Sequence, residues 1–203
     1  MSANLDSLDA LVRGLEDPVH DTQACFRVLL DALARPGTIG VIDVAVDQAA
    51  ARQWPEAAFA ALLTIADYST PIWLQEHDAA LAQALRFHTG APLTGKFSGA
   101  VLGYVTNTAT LSSLDALALG TPETPQASIT LFIRVEALEG GPLLTLSGPG
   151  IKSSLDIAPT GIPDRFWKQR KALEALAPCG VDCYLVCGRK IVGLPRTTNV
   201  EIK

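Results

Sequence analysis

The sequence predicts an α/β protein of three layers, a mixed β-sheet held between helices. Three observations carry this. Segments with a helical apolar period alternate with short β-branched runs along the chain. The second half adds two glycine-centred turns between apolar runs, Gly140-Gly141 and Gly188-Arg189-Lys190, so some strands must pair antiparallel. A chain of 203 residues buries roughly 70% of its unfolded surface, enough for one full core without staples. Residues 21–203 are expected to form one domain, preceded by a flexible acidic arm over residues 1–20.

Between residues 22 and 34, Phe26, Leu29, Leu30 and Leu33 fall at i, i+3, i+4 and i+7, one helical stripe. Thr22 is its expected N-cap, and Arg35-Pro36-Gly37 stops it. Residues 38–44 are β-branched and strand-like. Residues 48–66 form the longest helical pattern, interrupted at Pro55. A turn over 67–71 leads to a short strand at 72–74. Residues 78–87 are helical with Asp78 near the cap. A strand is expected over 100–106 and a short helix over 111–119. From 128 to 136 the chain alternates as Ile129, Leu131, Ile133, Val135, which reads as a half-buried strand returning through Gly140-Gly141 into 143–147. Residues 163–177 read as a helix with Pro163 in its favoured first turn. Residues 181–187 and 191–194 form a strand and its return. The sheet should hold about six strands.

Composition narrows the function. Net charge is −5 and the isoelectric point is near 5.1, with no basic run. Counterion release needs clustered cations, so no nucleic-acid partner is expected, and no anionic membrane surface either. No apolar run approaches the ~18 residues of a membrane span, and the N-terminus lacks a signal pattern, so a cytoplasmic protein with reduced thiols is expected. Only 18% of residues are charged, against about 25% in an average domain. Abundant alanine accounts for this, or an apolar surface is covered by another subunit.

No metal site is expected. Cys183 and Cys187 share one face of a strand about 13 Å apart, too far for one tetrahedral ion. Gly148-Pro149-Gly150-Ile151-Lys152-Ser153 has Ile151 where a phosphate-binding loop needs glycine, and it reads as a structural turn. Arg86 and His88 suit a helix C-terminus, where cations meet the dipole, or an anion site at the same junction. Asp67 and Asp182 are carboxylates embedded in apolar segments and read as structural. Arg196-Thr197-Thr198 offers a guanidinium fork and two hydroxyls. It reads equally as an anion cradle or as a pin in which Arg196 pairs with Asp182 or Asp67. No nucleophile elbow and no His-Glu-x-x-His is present, so no catalytic residue is assigned.

The segments FRVLLDALARPGTI, LLTIADYSTPIWL, LRFHTGAPL, LSGPGI and GVDCYLVCGRKIVGLPRTTNVEI stand in this order. Together they resemble the PhnH family, a component of the bacterial carbon–phosphorus lyase core complex. The family often has an aromatic-Pro pair where this chain has Ala177-Pro178. The resemblance implies a fold like the pyridoxal-phosphate-dependent transferases but without the cofactor site, and no cofactor in this chain. It implies partnership with core subunits G, I and J, most directly I, and a homodimer in isolation. It implies a part in attaching phosphonate to the ribose of a nucleoside triphosphate, with no turnover required of this chain itself. The alternative is a transferase subunit with its own small-molecule site, where Arg196, Thr197 and Thr198, with Arg35, Arg86 and His88, would hold phosphate or phosphonate groups.

Overall fold

The computed structural model describes residues 11–203, so the first ten residues of the expected N-terminal arm lie outside the described part. Helix α1 (Pro18–Ala34) begins earlier than Thr22 would place it. Asp17 caps it, accepting from the N–H groups of Val19 and His20 at 3.2 and 3.1 Å. Pro18 takes the first helical position, where its missing N–H costs nothing. The Asp-Pro pair is the stronger start signal, and Thr22 falls one turn inside.

Proline decides the next break as well. Pro55 separates α2 (Gln48–Gln53) from α3 (Glu56–Ile65). Helix α4 (Ala79–Thr89) is capped by Asp78, whose Oδ1 accepts from Leu81 N at 2.9 Å, and ends at Gly90 in the left-handed region. Helix α5 (Asp164–Leu173) continues as a 3₁₀ turn, Glu174–Leu176. The helix expected over 111–119 is only a 3₁₀ turn, Leu114–Ala116. Leu111, Leu114 and Leu117 are buried at a spacing of three, which a 3₁₀ turn serves, and Ser112, Ser113 and Asp115 are poor helix formers.

The strands are β1 (Ile39–Val41), β2 (Ile72–Leu74), β3 (Leu93–Thr94), β4 (Leu102–Val105), β5 (Thr130–Arg134), β6 (Leu144–Ser147), β7 (Leu155–Ile157), β8 (Asp182–Cys187), β9 (Lys190–Leu194) and β10 (Asn199–Ile202). Seven of them form one mixed sheet in the order β1-β9-β8-β5-β4-β2-β3. From β8 to β3 the neighbours run parallel, while β9 and β1 are added antiparallel. The hairpin at Gly188-Arg189 forms as the sequence predicts, with Cys187 opposite Lys190. The hairpin at Gly140-Gly141 does not. Strand β5 sits between β4 and β8, and β6 joins β10 and β7 in a separate three-stranded antiparallel sheet. Leu131, Phe132 and Ile133 are fully buried, so β5 needs a neighbour on each side and cover on both faces.

Two cores lie on the two faces of the large sheet. One gathers α1 to α4 over Ile72, Leu102, Tyr104, Phe132 and Tyr184. The other gathers α5, the Leu114 turn and the small sheet over Val105, Leu131, Ile133, Cys183 and Leu185. The order is thus helices, mixed sheet, then helix with a small sheet. Helix α1 approaches β9 so closely that a Cβ on Gly193 would stand 2.4 Å from the Ala32 carbonyl oxygen. Tyr184 secures the same helix, its O–H donating to the Leu29 carbonyl at 3.1 Å.

Candidate functional site

Half of the polar residues singled out by sequence, Asp182, Arg196, Thr197 and Thr198, lie at the amino ends of the parallel strands, and there Asp182 and Arg196 hold the fold together. Asp182 opens β8 and accepts from Arg196 through Nε at 3.2 Å, Nη2 at 2.5 Å and the backbone N–H at 2.7 Å. Arg196 Nη1 also donates to the Pro125 carbonyl at the entry to β5. A Cβ on Gly180, at φ +150°, would stand 3.0 Å from Arg196 Cβ, so glycine lets the arginine stem lie across the chain. Thr198 is buried, and Thr197 is exposed. Gly148 of the Gly-Pro-Gly turn packs under this segment, where a Cβ would meet the Thr197 carbonyl at 2.7 Å.

Arg170 of α5, which the sequence gives no reason to single out, completes this end. It is 4% exposed. Nη1 donates to the Val181 carbonyl at 3.0 Å, and Nη2 to those of Leu194 and Pro195 at 2.9 and 2.5 Å. It therefore ties the start of β8 to the end of β9.

The remaining candidates are scattered. Arg35 is exposed and pairs with Asp31 one turn back. His88 Nε2 is 2.9 Å from the Val12 carbonyl oxygen and holds the segment before α1. Arg86 is exposed, beside His77 and Phe87. Asp67 is exposed and closes its turn with Ser69. Hydrogen bonds from the Ser69 side chain and backbone, then from Thr70, hold its carboxyl below the usual range. No hydrogen bond or ion pair among the described residues joins Arg35, Arg86 or His88 to Arg196.

The carboxyl ends of the same strands are open. Two adjoining cavities of about 440 and 470 Å³ share Gln53, Trp54, Thr106 and Arg134. Open α/β sheets place their ligand crevices at this end. Gln75 shapes the rim: its Oε1 accepts from the N–H groups of Thr106 and Asn107, both at 2.9 Å. Trp54 donates through Nε1 to Asp78 at 2.7 Å. Arg134, the last residue of β5, has one long bond, Nη1 to the Gln53 carbonyl at 3.5 Å, and no ion pair among the described residues. Tyr104 is 3% exposed and lines the second cavity, yet among the described residues its hydroxyl has no partner within ordinary hydrogen-bond geometry. Burial pushes its pKa up to about 12, against the opposing pull of the Arg134 guanidinium, which lies near enough to the phenol oxygen to act on it both through its charge and as a donor.

Comparison with known proteins decides the family. The model of the bacterial phosphonate metabolism protein (PhnH) family matches residues 13–201. The chain belongs to the PhnH family. It is 40% identical over 187 residues to the alpha-D-ribose 1-methylphosphonate 5-triphosphate synthase subunit PhnH of Rhizobium meliloti (strain 1021), covering 91% of this chain and 92% of that one. A putative C-P lyase subunit protein, HtxG of Stutzerimonas stutzeri, is 41% identical over 85 residues, 42% of this chain and 44% of its own. In this PhnH member the crevice residues Tyr104 and Arg134 escaped the sequence reading. The available signal was a lone arginine closing an otherwise apolar buried strand at its carboxyl end, where such folds keep their ligands.

Proposed function

We propose that this chain is an accessory subunit of the carbon–phosphorus lyase core complex, taking part in the attachment of phosphonate to the ribose of a nucleoside triphosphate and serving there as a docked scaffold. The observation that carries this is the match along nearly the whole chain to a relative named as a subunit of alpha-D-ribose 1-methylphosphonate 5-triphosphate synthase. The commitment of Arg196 and Arg170 to internal bonds supports a structural part for them. The partners are the other core subunits G, I and J, most directly I, and a second copy when the chain is isolated. The location is cytoplasmic.

The surface that suits docking is apolar. Val19, Phe26 and Leu30 form one exposed stripe along α1, which packs beside β1, and Ile39 and Val41 are exposed on β1 at the sheet edge. The mixed sheet between helical layers supports kinship with the pyridoxal-phosphate-dependent transferase fold. All six lysines are exposed and none lines the crevice, which favours a chain without that cofactor.

The test is co-purification with the other core subunits, and light scattering of the isolated chain, for wild type and for Phe26→Glu with Leu30→Glu. The wild type should co-purify and should self-associate alone. The exposed double variant should keep its fold and lose both. A wild type that stays solitary beside its co-expressed partners sinks the reading.

A further inference from the structure

We propose that the crevice at the carboxyl ends of β4, β5 and β8 is a binding site for a small hydroxylated molecule carrying a phosphoryl-type oxyanion, with Arg134 holding the oxyanion and Tyr104 donating to it. The proposal goes beyond docking and does not rest on it.

The site is built from unspent groups. A buried hydroxyl without a partner forfeits the hydrogen bonds it had in water, so such groups are rare in folded proteins. Tyr104 is one, and it faces the cavity that Arg134 also lines. A ligand oxygen placed there would accept its O–H. Arg134 is a guanidinium fork with no carboxylate bound, and Arg52, on the first cavity with it, also has no ion pair among the described residues. Asn107 lines the same cavity, with its Oδ1 taken by Ala109 N–H at 2.8 Å and no bond from its NH₂ group among the described residues. Arg134 lines both cavities, with Arg52 and Asn107 on the first and Tyr104 on the second, so guanidinium, amide and phenol donors border one crevice, and Arg134 can present its fork to a phosphoryl-type oxyanion from the middle of it.

The acidic residues on the rim shape the rest of the ligand. Both oxygens of Asp78 are occupied, by Leu81 N–H and Trp54 Nε1–H. Glu76 and Glu136 are exposed at the crevice mouth. They oppose a second anion and can accept from hydroxyl groups. Sugar phosphates have this arrangement of one oxyanion and several hydroxyls.

The test is calorimetric titration of the full chain with inorganic phosphate, ribose 5-phosphate, ribose and acetate. Ribose 5-phosphate should bind more tightly than phosphate, and ribose and acetate should not bind measurably. Arg134→Gln should weaken ribose 5-phosphate by about tenfold to a hundredfold, the scale of a charge-assisted pair. Tyr104→Phe should weaken it severalfold while leaving the melting temperature unchanged or higher, a combination that a purely structural tyrosine would not give. Absence of ribose 5-phosphate binding, equal binding of acetate, or affinities unmoved by both substitutions would each overturn the proposal. Co-purification of Arg134→Gln with the core subunits reports separately on docking, so the two readings fail independently.

Discussion

At the amino ends of the parallel strands, Arg170 and Arg196 distribute their donors over four carbonyls and one carboxylate. At the carboxyl ends of the same strands, among the described residues, Arg134 has one bond of 3.5 Å and the Tyr104 hydroxyl has none of ordinary geometry. The residue types are alike, and the environments are opposite. A buried guanidinium left wholly unbonded would cost several kcal/mol, and the closed end bonds every nitrogen of the Arg196 guanidinium and both terminal nitrogens of Arg170, leaving only the Arg170 Nε without a partner among the described residues. At the open end Arg134 is exposed, so water or a ligand can satisfy it. Residue type therefore does not tell a pin from a binding group in this protein; the count of partners does.

Strand β8 carries a thiol near each end, and these should show the largest contrast. Cys183 is fully buried beside Arg170, and burial pushes its pKa up to about 11. Cys187 is half-buried and lines the crevice. Under native conditions a small alkylating reagent should modify Cys187, read by mass spectrometry, while Cys183 reacts at least ~10³ times more slowly because its exposure requires global opening. Equal rates would break the comparison at once. The raised pKa also has a sign. Below the unfolded thiol value near 8.5 Cys183 is neutral in both states. As pH rises from there toward about 11 only the unfolded chain releases the proton, so stability falls. Cys25, also raised to about 11 by burial, adds to this loss, and Cys25→Ser with Cys183→Ser should flatten it in denaturant melts across that range.

Next in size is Arg170→Met. It keeps the apolar stem and removes the donors to Val181, Leu194 and Pro195, leaving three carbonyls behind. A loss of about 3 kcal/mol or more is expected in denaturant unfolding. Asp182→Asn should cost less, about 2 kcal/mol, because both side chains of that pair keep 16–18% exposure and the amide still accepts. If either substitution is as mild as Arg134→Gln, expected within about 0.5 kcal/mol, the two ends do not differ as their bonding implies.

Sequence pattern made α1 to α5 and the β8–β9 hairpin legible because their signals are local, a cap, a proline or a two-residue turn, whereas the helix expected over 111–119 had an apolar spacing of three that a 3₁₀ turn serves. The pairing of β5 was not legible. Its alternation is also that of a hairpin strand, and nothing within 128–147 says that β4 and β8 would occupy both of its edges. The same limit hid the small sheet, whose strands β6, β7 and β10 meet only through long-range register. At the closed end, the pairing of Arg196 with Asp182 was among the alternatives that the residues allowed. Arg170 was invisible, since a basic residue in the last turn of a helix is ordinary by dipole arguments. At the open end, Tyr104 reads as one more inward strand residue, and only the folded arrangement leaves its hydroxyl without a well-placed partner among the described residues.

The smallest effect is the most discriminating, because its sign differs between two tyrosines of one core. Tyr184→Phe removes a hydroxyl that donates to Leu29 O at 3.1 Å and leaves that carbonyl without its phenolic donor. A loss of about 1 kcal/mol is expected. Tyr104→Phe removes a hydroxyl with no partner in ordinary hydrogen-bond geometry among the described residues, so a buried polar group disappears and its neighbour Arg134, which is exposed, keeps its access to water. Stability should hold or rise by up to about 1 kcal/mol. The two variants share chemistry, volume change and sheet face, so packing effects cancel in the comparison. A Tyr104→Phe loss as large as that of Tyr184→Phe would mean that the Tyr104 hydroxyl is bonded within the fold, and the open end would then have one fewer group to offer a ligand.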